Sequence, residues 1–281
     1  MRFFLAPIVA ALLWAPVVAL AKEAPATPAA ADEAAKLAAI GERGRLLFDL
    51  DRAAWVATDA LMAKVPGFAQ SRLNGYIVER ENDGFVVTFY GGEGDTLTAA
   101  HIVHVAGGRV TSSETIEPAS RMALTPLQLR LAKARSVRPG KDVRPCTRAA
   151  FNVAIVPPTG QDSPMEIYLT SPQVEKDVYP FGGHYRLILA ADGSIASTRK
   201  FTNACLDMPR PPGAGGEEGV LFVTHLLDPV PTEIHVFMSL QIGLPVVVST
   251  SEPFRLWVVN GESISGTGFE APAPRRKRRR D

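Results

Sequence analysis

The stretch Gly219–Leu240, GVLFVTHLLDPVPTEIHVFMSL, decides how the second half of this chain is read. Pro229 and Pro231 lack the N–H that a central strand needs, so Asp228–Thr232 marks a turn. An apolar arm lies on each side of it, and each arm carries one histidine, His225 and His235. Read as a β-hairpin with Leu227 opposite Glu233, the register sets His225 opposite His235. Val220, Phe222, Thr224 and Leu226 then share a core-seeking face with Ile234, Val236, Met238 and Leu240. The other face holds both histidines with Val223, Phe237 and Ser239. A slip of one residue would mix the faces, which favours this register. Directly opposed Cβ atoms lie about 5 Å apart, near enough for one small cation or one shared proton to bridge the rings.

The flanking segments also read as strands. Phe151–Val156, Met165–Thr170, His184–Ala190 and Ile195–Phe201 are short apolar runs, the last two joined by Asp192-Gly193. Leu244–Thr250 and Phe254–Val259 follow the histidines. The first half opens differently. From Asp32, Leu37, Ile40, Leu46, Leu47, Leu50, Trp55, Val56, Leu61 and Met62 recur at roughly helical spacing, with Gly41 and Gly44 expected to split the run in two and Pro66-Gly67 to stop it. Tyr76–Arg80 and Phe85–Tyr90 form a hairpin about Asp83-Gly84. Leu97–Val105 is the next strand, and its His101 and His104, three apart, face opposite sides. Thr125-Pro126 caps a helix that reaches about Ser136. The class is α+β: N-terminal helices followed by antiparallel sheets, with a mostly β second half. Pro139-Gly140 separates a helix-plus-meander module, 32–138, from a β-rich module, 139–268.

The ends of the chain carry signals of another kind. Arg2, the apolar run Phe3–Val18 and the small-x-small site Ala19-Leu20-Ala21 make residues 1–21 a signal peptide, cleaved before Lys22; an uncleaved membrane anchor is the other reading. Residues 22–31 are an Ala/Pro-rich tether. The expected location is the periplasm or the exterior. Two cysteines, Cys146 and Cys205, then suggest one structural disulfide, free buried thiols or a redox pair being the alternatives. Net charge is +1, yet Arg275, Arg276, Lys277, Arg278, Arg279 and Arg280 crowd into the tail 269–281 and leave the body mildly acidic. Such a run suits an anionic envelope surface or an acidic protein partner. With export and no interleaved aromatics, nucleic acid is not expected. Hydrophobic residues at 46% are ample for a core.

Two constellations invite chemistry. His225 and His235, joined by His184 and by Asp228 or Glu233, would form a zinc or copper site; hydrogen-bonded structural histidines are the alternative. Across the Asp192-Gly193 turn Arg186 faces Arg199, with Lys200 adjacent, and opposed like charges need compensation. A bound anion approaching Gly182-Gly183 would supply it, and so would a carboxylate such as Glu166 or Asp207. G-x-S-x-G, H-E-x-x-H, P-loop and Rossmann fingerprints are absent from the sequence. The helix and meander over Asp32–Val110 resemble secreted PepSY and cystatin-like modules in topology. GGHYR, Gly182–Arg186, and PTEIHVF, Pro231–Phe237, resemble stretches of exported bacterial proteins with no assigned activity. The expected function is that of an exported, non-catalytic binding or accessory protein. The alternative is a His-centred metal protein or metal-dependent hydrolase. A sheet edge also leaves room for a homodimer.

Overall fold

The structure, a computed structural model, describes residues 28–65, 73–94, 96–160, 163–212 and 219–270. The stretch read as a signal peptide, most of the stretch read as a tether, Pro66-Gly67 and the basic residues Arg275–Arg280 lie outside them. The order is α1 (Pro28–Lys64), β1 (Leu73–Glu81), β2 (Gly84–Gly91), β3 (Thr98–Ala106), β4 (Arg109–Thr115), α2 (Pro126–Arg135), β5 (Asn152–Val156) and β6 (Met165–Thr170). Then come β7 (Val178–Pro180), β8 (Tyr185–Leu189), β9 (Ile195–Lys200), β10 (Asp207–Pro209), β11 (Leu221–His225), α3 (Glu233–Ile242), β12 (Val246–Ser251), β13 (Phe254–Asn260) and β14 (Ser263–Glu270). The sheets are β1-β2-β3-β4, β5-β6-β8-β9 and β11-β12-β13-β14, with a small β7-β10 pair. This is the expected α+β class. Among the described residues no helix is long and apolar enough to cross a membrane.

The reading of Gly219–Leu240 as a hairpin is corrected. Only its first arm is a strand; the second is α3, and β12 returns parallel to β11, which makes a β-α-β unit. Thr232 caps the helix, and Gly243 closes it in the left-handed region at φ 71°. Most of α3 is buried, Ile234, Val236, Phe237 and Met238 together with the polar Glu233, His235 and Ser239, so its apolar positions mark no single face. A helix buried on nearly every side need show neither a period of two nor one of 3.6. The faces of β11 are also the reverse of those expected: Leu221, Val223 and His225 point inward, while Phe222 is 55% exposed. The cause is α3, which joins the core with Leu221 and Val223 beneath it.

Helix α1 runs unbroken for 37 residues rather than splitting at its glycines. Gly41 and Gly44 serve close approach instead. A Cβ at Gly41 would sit 2.3 Å from the Glu262 carbonyl oxygen, and one at Gly44 would sit 2.4 Å from Val236 Cβ. The first half of α1 therefore lies tight against α3 and the β13–β14 turn, with Leu37, Ile40 and Leu47 in that core. Its second half sends Ala53, Ala57 and Leu61 into another core with Val87, Phe89, Val103 and Val105. One helix thus serves both modules. Helix α2 behaves as its sequence suggests: Thr125 and Gln128 form a reciprocal capping box.

Cys146 and Cys205 form a disulfide. Gly182-Gly183 is wedged against it. A Cβ at Gly182 would come within 2.4 Å of the Ala204 carbonyl oxygen, and one at Gly183, where φ is +70°, within 2.5 Å of the Cys146 nitrogen. The glycine pair lets the two bridged segments pack.

Candidate functional site

Of the three histidines read from the sequence, His225 and His235 are brought into contact, and each of the three is committed to the fold. His225 ends β11 and donates from Nε2 to Asp228 Oδ2 at 2.8 Å. His235 stands at the third position of α3, where its Nδ1 accepts the Thr232 backbone N–H at 3.0 Å. It fills the place that Glu or Gln takes in a capping box, and the accepting Nδ1 leaves the ring proton on Nε2. The His225 and His235 rings meet edge to face, centroids 4.8 Å apart. The sequence reading thus juxtaposes the right pair through the wrong element. His184 accepts the Ser171 N–H at Nδ1 and donates from Nε2 to the Pro180 carbonyl at 2.8 Å. Both of its nitrogens are spent on backbone, so it has no lone pair to offer as a third ligand. Among the described residues no group of three or more His, Cys, Asp or Glu side chains is arranged to hold a metal ion. Burial drives the His184 pKa down to about 4. Burial, with the charge of His225 next, drives that of His235 down to about 3.

The opposed cations are real. Arg186 pairs with Arg199 in the β8–β9 register. Carboxylates of the protein compensate them. Arg199 Nη2 lies 2.8 Å from both Asp228 oxygens. Arg186 Nη1 lies 3.4 Å from Glu233 Oε1 and 3.7 Å from Glu166 Oε2. The hydroxyl of fully buried Tyr168 stands between Glu233 and Glu166, at 3.1 and 3.2 Å. Burial first, and then both carboxylates, push the phenol pKa up. Asp207 instead pairs with Pro180 in the short β7–β10 ladder, and Lys200 is exposed opposite Tyr185. Gly182-Gly183 approaches the disulfide rather than an anion.

A different place in the fold has unused chemistry. A cleft of about 650 Å³ opens along one face of α1, where Phe48, Asp51, Arg52, Trp55 and Thr58 recur at spacings of three and four. Tyr76 of β1, Asn152 of β5, Pro172 and Gln173 beyond β6, and Gln241 in the last turn of α3 complete it. The Arg52 guanidinium lies 4.4 Å from the centroid of the Trp55 ring, and Trp55 is 57% exposed. Arg135 covers Tyr76 at 3.6 Å. Among the described residues the Asp51 carboxyl has no hydrogen bond or ion pair, and the side-chain amides of Asn152 and Gln241 have no partner. Burial alone pushes the Asp51 pKa up to about 6.

A carboxyl whose folded pKa lies above its unfolded value resists ionisation in the fold. The resulting penalty is absent below the unfolded value of 3.8, grows as pH rises, and is complete above about 6. Asp51→Asn, which carries no charge to desolvate, is therefore expected to stabilise the protein at pH 7.5 by on the order of 1–3 kcal/mol. Below pH 4 it should change nothing. Urea denaturation at the two pH values checks this.

The sequence reading missed the cleft because its walls come from five separate segments. The signal that was present is the polar and aromatic run at helical spacing on α1. No protein-family model, curated protein or solved structure matches the chain.

Proposed function

We propose that the protein is an exported, non-catalytic binding protein. Its body holds a small ligand in the α1 cleft, and its basic tail engages an anionic envelope surface or an acidic partner. The cleft carries the reading: aromatic rings and unpartnered polar groups converge in a space of about 650 Å³. Small-molecule sites commonly enclose roughly 300–1,000 Å³ and combine apolar walls with a few polar groups. An unpaired carboxyl that weakens the fold is common where a protein keeps a group for binding. The Cys146–Cys205 disulfide supports an oxidising compartment, in keeping with the signal-like residues 1–21.

The histidine and arginine clusters support a structural role, because their polar atoms are largely satisfied within the protein. The test is thermal denaturation of the purified chain with a panel of dipeptides, amines, carboxylates and saccharides, beside Trp55→Ala. At least one class should raise the melting temperature of the native chain by several degrees and that of the variant by much less. Equal responses from both proteins to every class would defeat the cleft reading.

A further inference from the structure

The cleft, taken as the binding site just proposed, has a charge pattern that narrows its ligand. Asp51 and Arg52 are consecutive in α1, and both line the cleft. Consecutive helical residues point about 100° apart and do not face each other, and no ion pair joins these two. Asp51 has no partner among the described residues, and Arg52 lies over the face of Trp55. One wall of the cleft therefore presents a free negative charge and a positive charge held over an indole, side by side but not neutralising each other. A purely cationic ligand would meet repulsion from Arg52, and a purely anionic one would meet repulsion from Asp51. A neutral polyol would leave the Asp51 charge unpaired in a partly dry site.

Resting on that binding reading, we propose that the cleft takes a small zwitterion, an amino acid or short peptide, with its ammonium group on Asp51 and its carboxylate on Arg52. The remaining lining matches the rest of such a molecule. Phe48 and the half of Trp55 not covered by Arg52 offer apolar surface to a side chain. The amides of Asn152 and Gln241, each able to donate and to accept, suit a peptide N–H and C=O. The volume of about 650 Å³ admits a dipeptide with an aromatic side chain.

The test is calorimetric titration of the full purified chain with Ala-Phe, N-acetyl-Ala-Phe, Ala-Phe-amide and maltose. Ala-Phe is expected to bind, and blocking either its amine or its carboxylate should weaken binding by about 10- to 100-fold, as loss of a charged hydrogen bond does. In Asp51→Asn the free and N-acetylated peptides should bind alike. In Arg52→Gln the free and amidated peptides should bind alike. Asp51→Asn is expected to be at least as stable as the native chain, so its loss of binding cannot be ascribed to unfolding. Indifference of the native chain to both blocking groups would overturn the zwitterion. So would an unchanged preference in either variant. Binding of maltose alone, abolished by Trp55→Ala, would overturn the zwitterion and leave the binding cleft standing. No heat with any of the four, together with identical melting of the native chain and Trp55→Ala across the broader panel, would remove both readings.

Discussion

Acidification from pH 7 to pH 5 is expected to weaken the fold by on the order of 4 kcal/mol through two buried histidines alone. His184 and His235 have folded pKa values lowered to about 4 and about 3, against 6.5 in the unfolded chain. The unfolded state therefore takes up protons first as pH falls. Their neutral forms leave stability intact above about 6.5, and that stability is lost progressively between 6.5 and the folded values. Asp51 acts in the opposite sense over part of the range, regaining on the order of 1 kcal/mol by pH 5 as it protonates. Asp228 is held low, burial opposing and the His225 hydrogen bond and Arg199 charge prevailing, so its contribution is lost only at more acid pH. The net loss is a large part of a typical domain's 5–15 kcal/mol.

The decisive variant is His235→Gln. Gln is a usual partner for a threonine N-cap at this position and carries no titrating group. It should fold normally at neutral pH, and its acid transition should move down by about one pH unit. Circular dichroism between pH 7 and pH 3 measures both. An acid midpoint identical to that of the native chain would show that His235 does not govern the loss.

Gly44→Ala tests the other large effect, and it sets two principles against each other. In an exposed helix Ala is better than Gly by about 1 kcal/mol, so propensity alone predicts stabilisation. Packing predicts the reverse. The new Cβ would lie 2.4 Å from Val236 Cβ and Cγ1 and 2.7 Å from the Glu233 carbonyl oxygen, and the second partner is backbone that cannot rotate away. Val236 itself is fully buried. Separating α1 from α3 would loosen the core around Leu47, Ile234 and Met238. The expected result is a net loss of about 2–4 kcal/mol in urea denaturation. Gly140→Ala, whose Cβ would meet nothing within 4 Å, is the control and should change stability by less than about 0.5 kcal/mol. A stabilised Gly44→Ala would mean that the helices move apart at little cost.

Much of the architecture is legible where local chemistry decides it. Asp83-Gly84 and Asp192-Gly193 announce turns, and the strands beside them pair as expected. Thr125-Pro126 announces α2. The sequence reading fails where tertiary burial overrides periodicity. In Glu233–Ile242 almost every side chain is inward, so nothing in the apolar pattern separates helix from strand. Only Thr232 and Gly243, a cap at each end, carry the information. The glycines of α1 mislead for the same reason: their purpose lies in Glu262 and Val236, some 200 residues away. The charged register of Arg186 and Arg199 is readable, but of the carboxylates that answer it the sequence points only to Glu166. The cleft is not readable as a unit, because an unpaired Asp51 is defined by what surrounds it rather than by its own position.

The placement of α1 has a consequence for the order in which the molecule is made. Its first turns complete their packing with the β13–β14 hairpin: Glu33 is bridged by Arg255 across 222 positions, and Gly41 rests on Glu262. During synthesis this segment emerges some 200 residues before its partners and waits for them before its apolar stripe is covered. Contacts of such long sequence separation slow the search for the native state and prolong the exposure of sticky surface. Leu37, Ile40 and Leu47 are thus the stretch a chaperone would have most reason to shield while the remainder is still arriving.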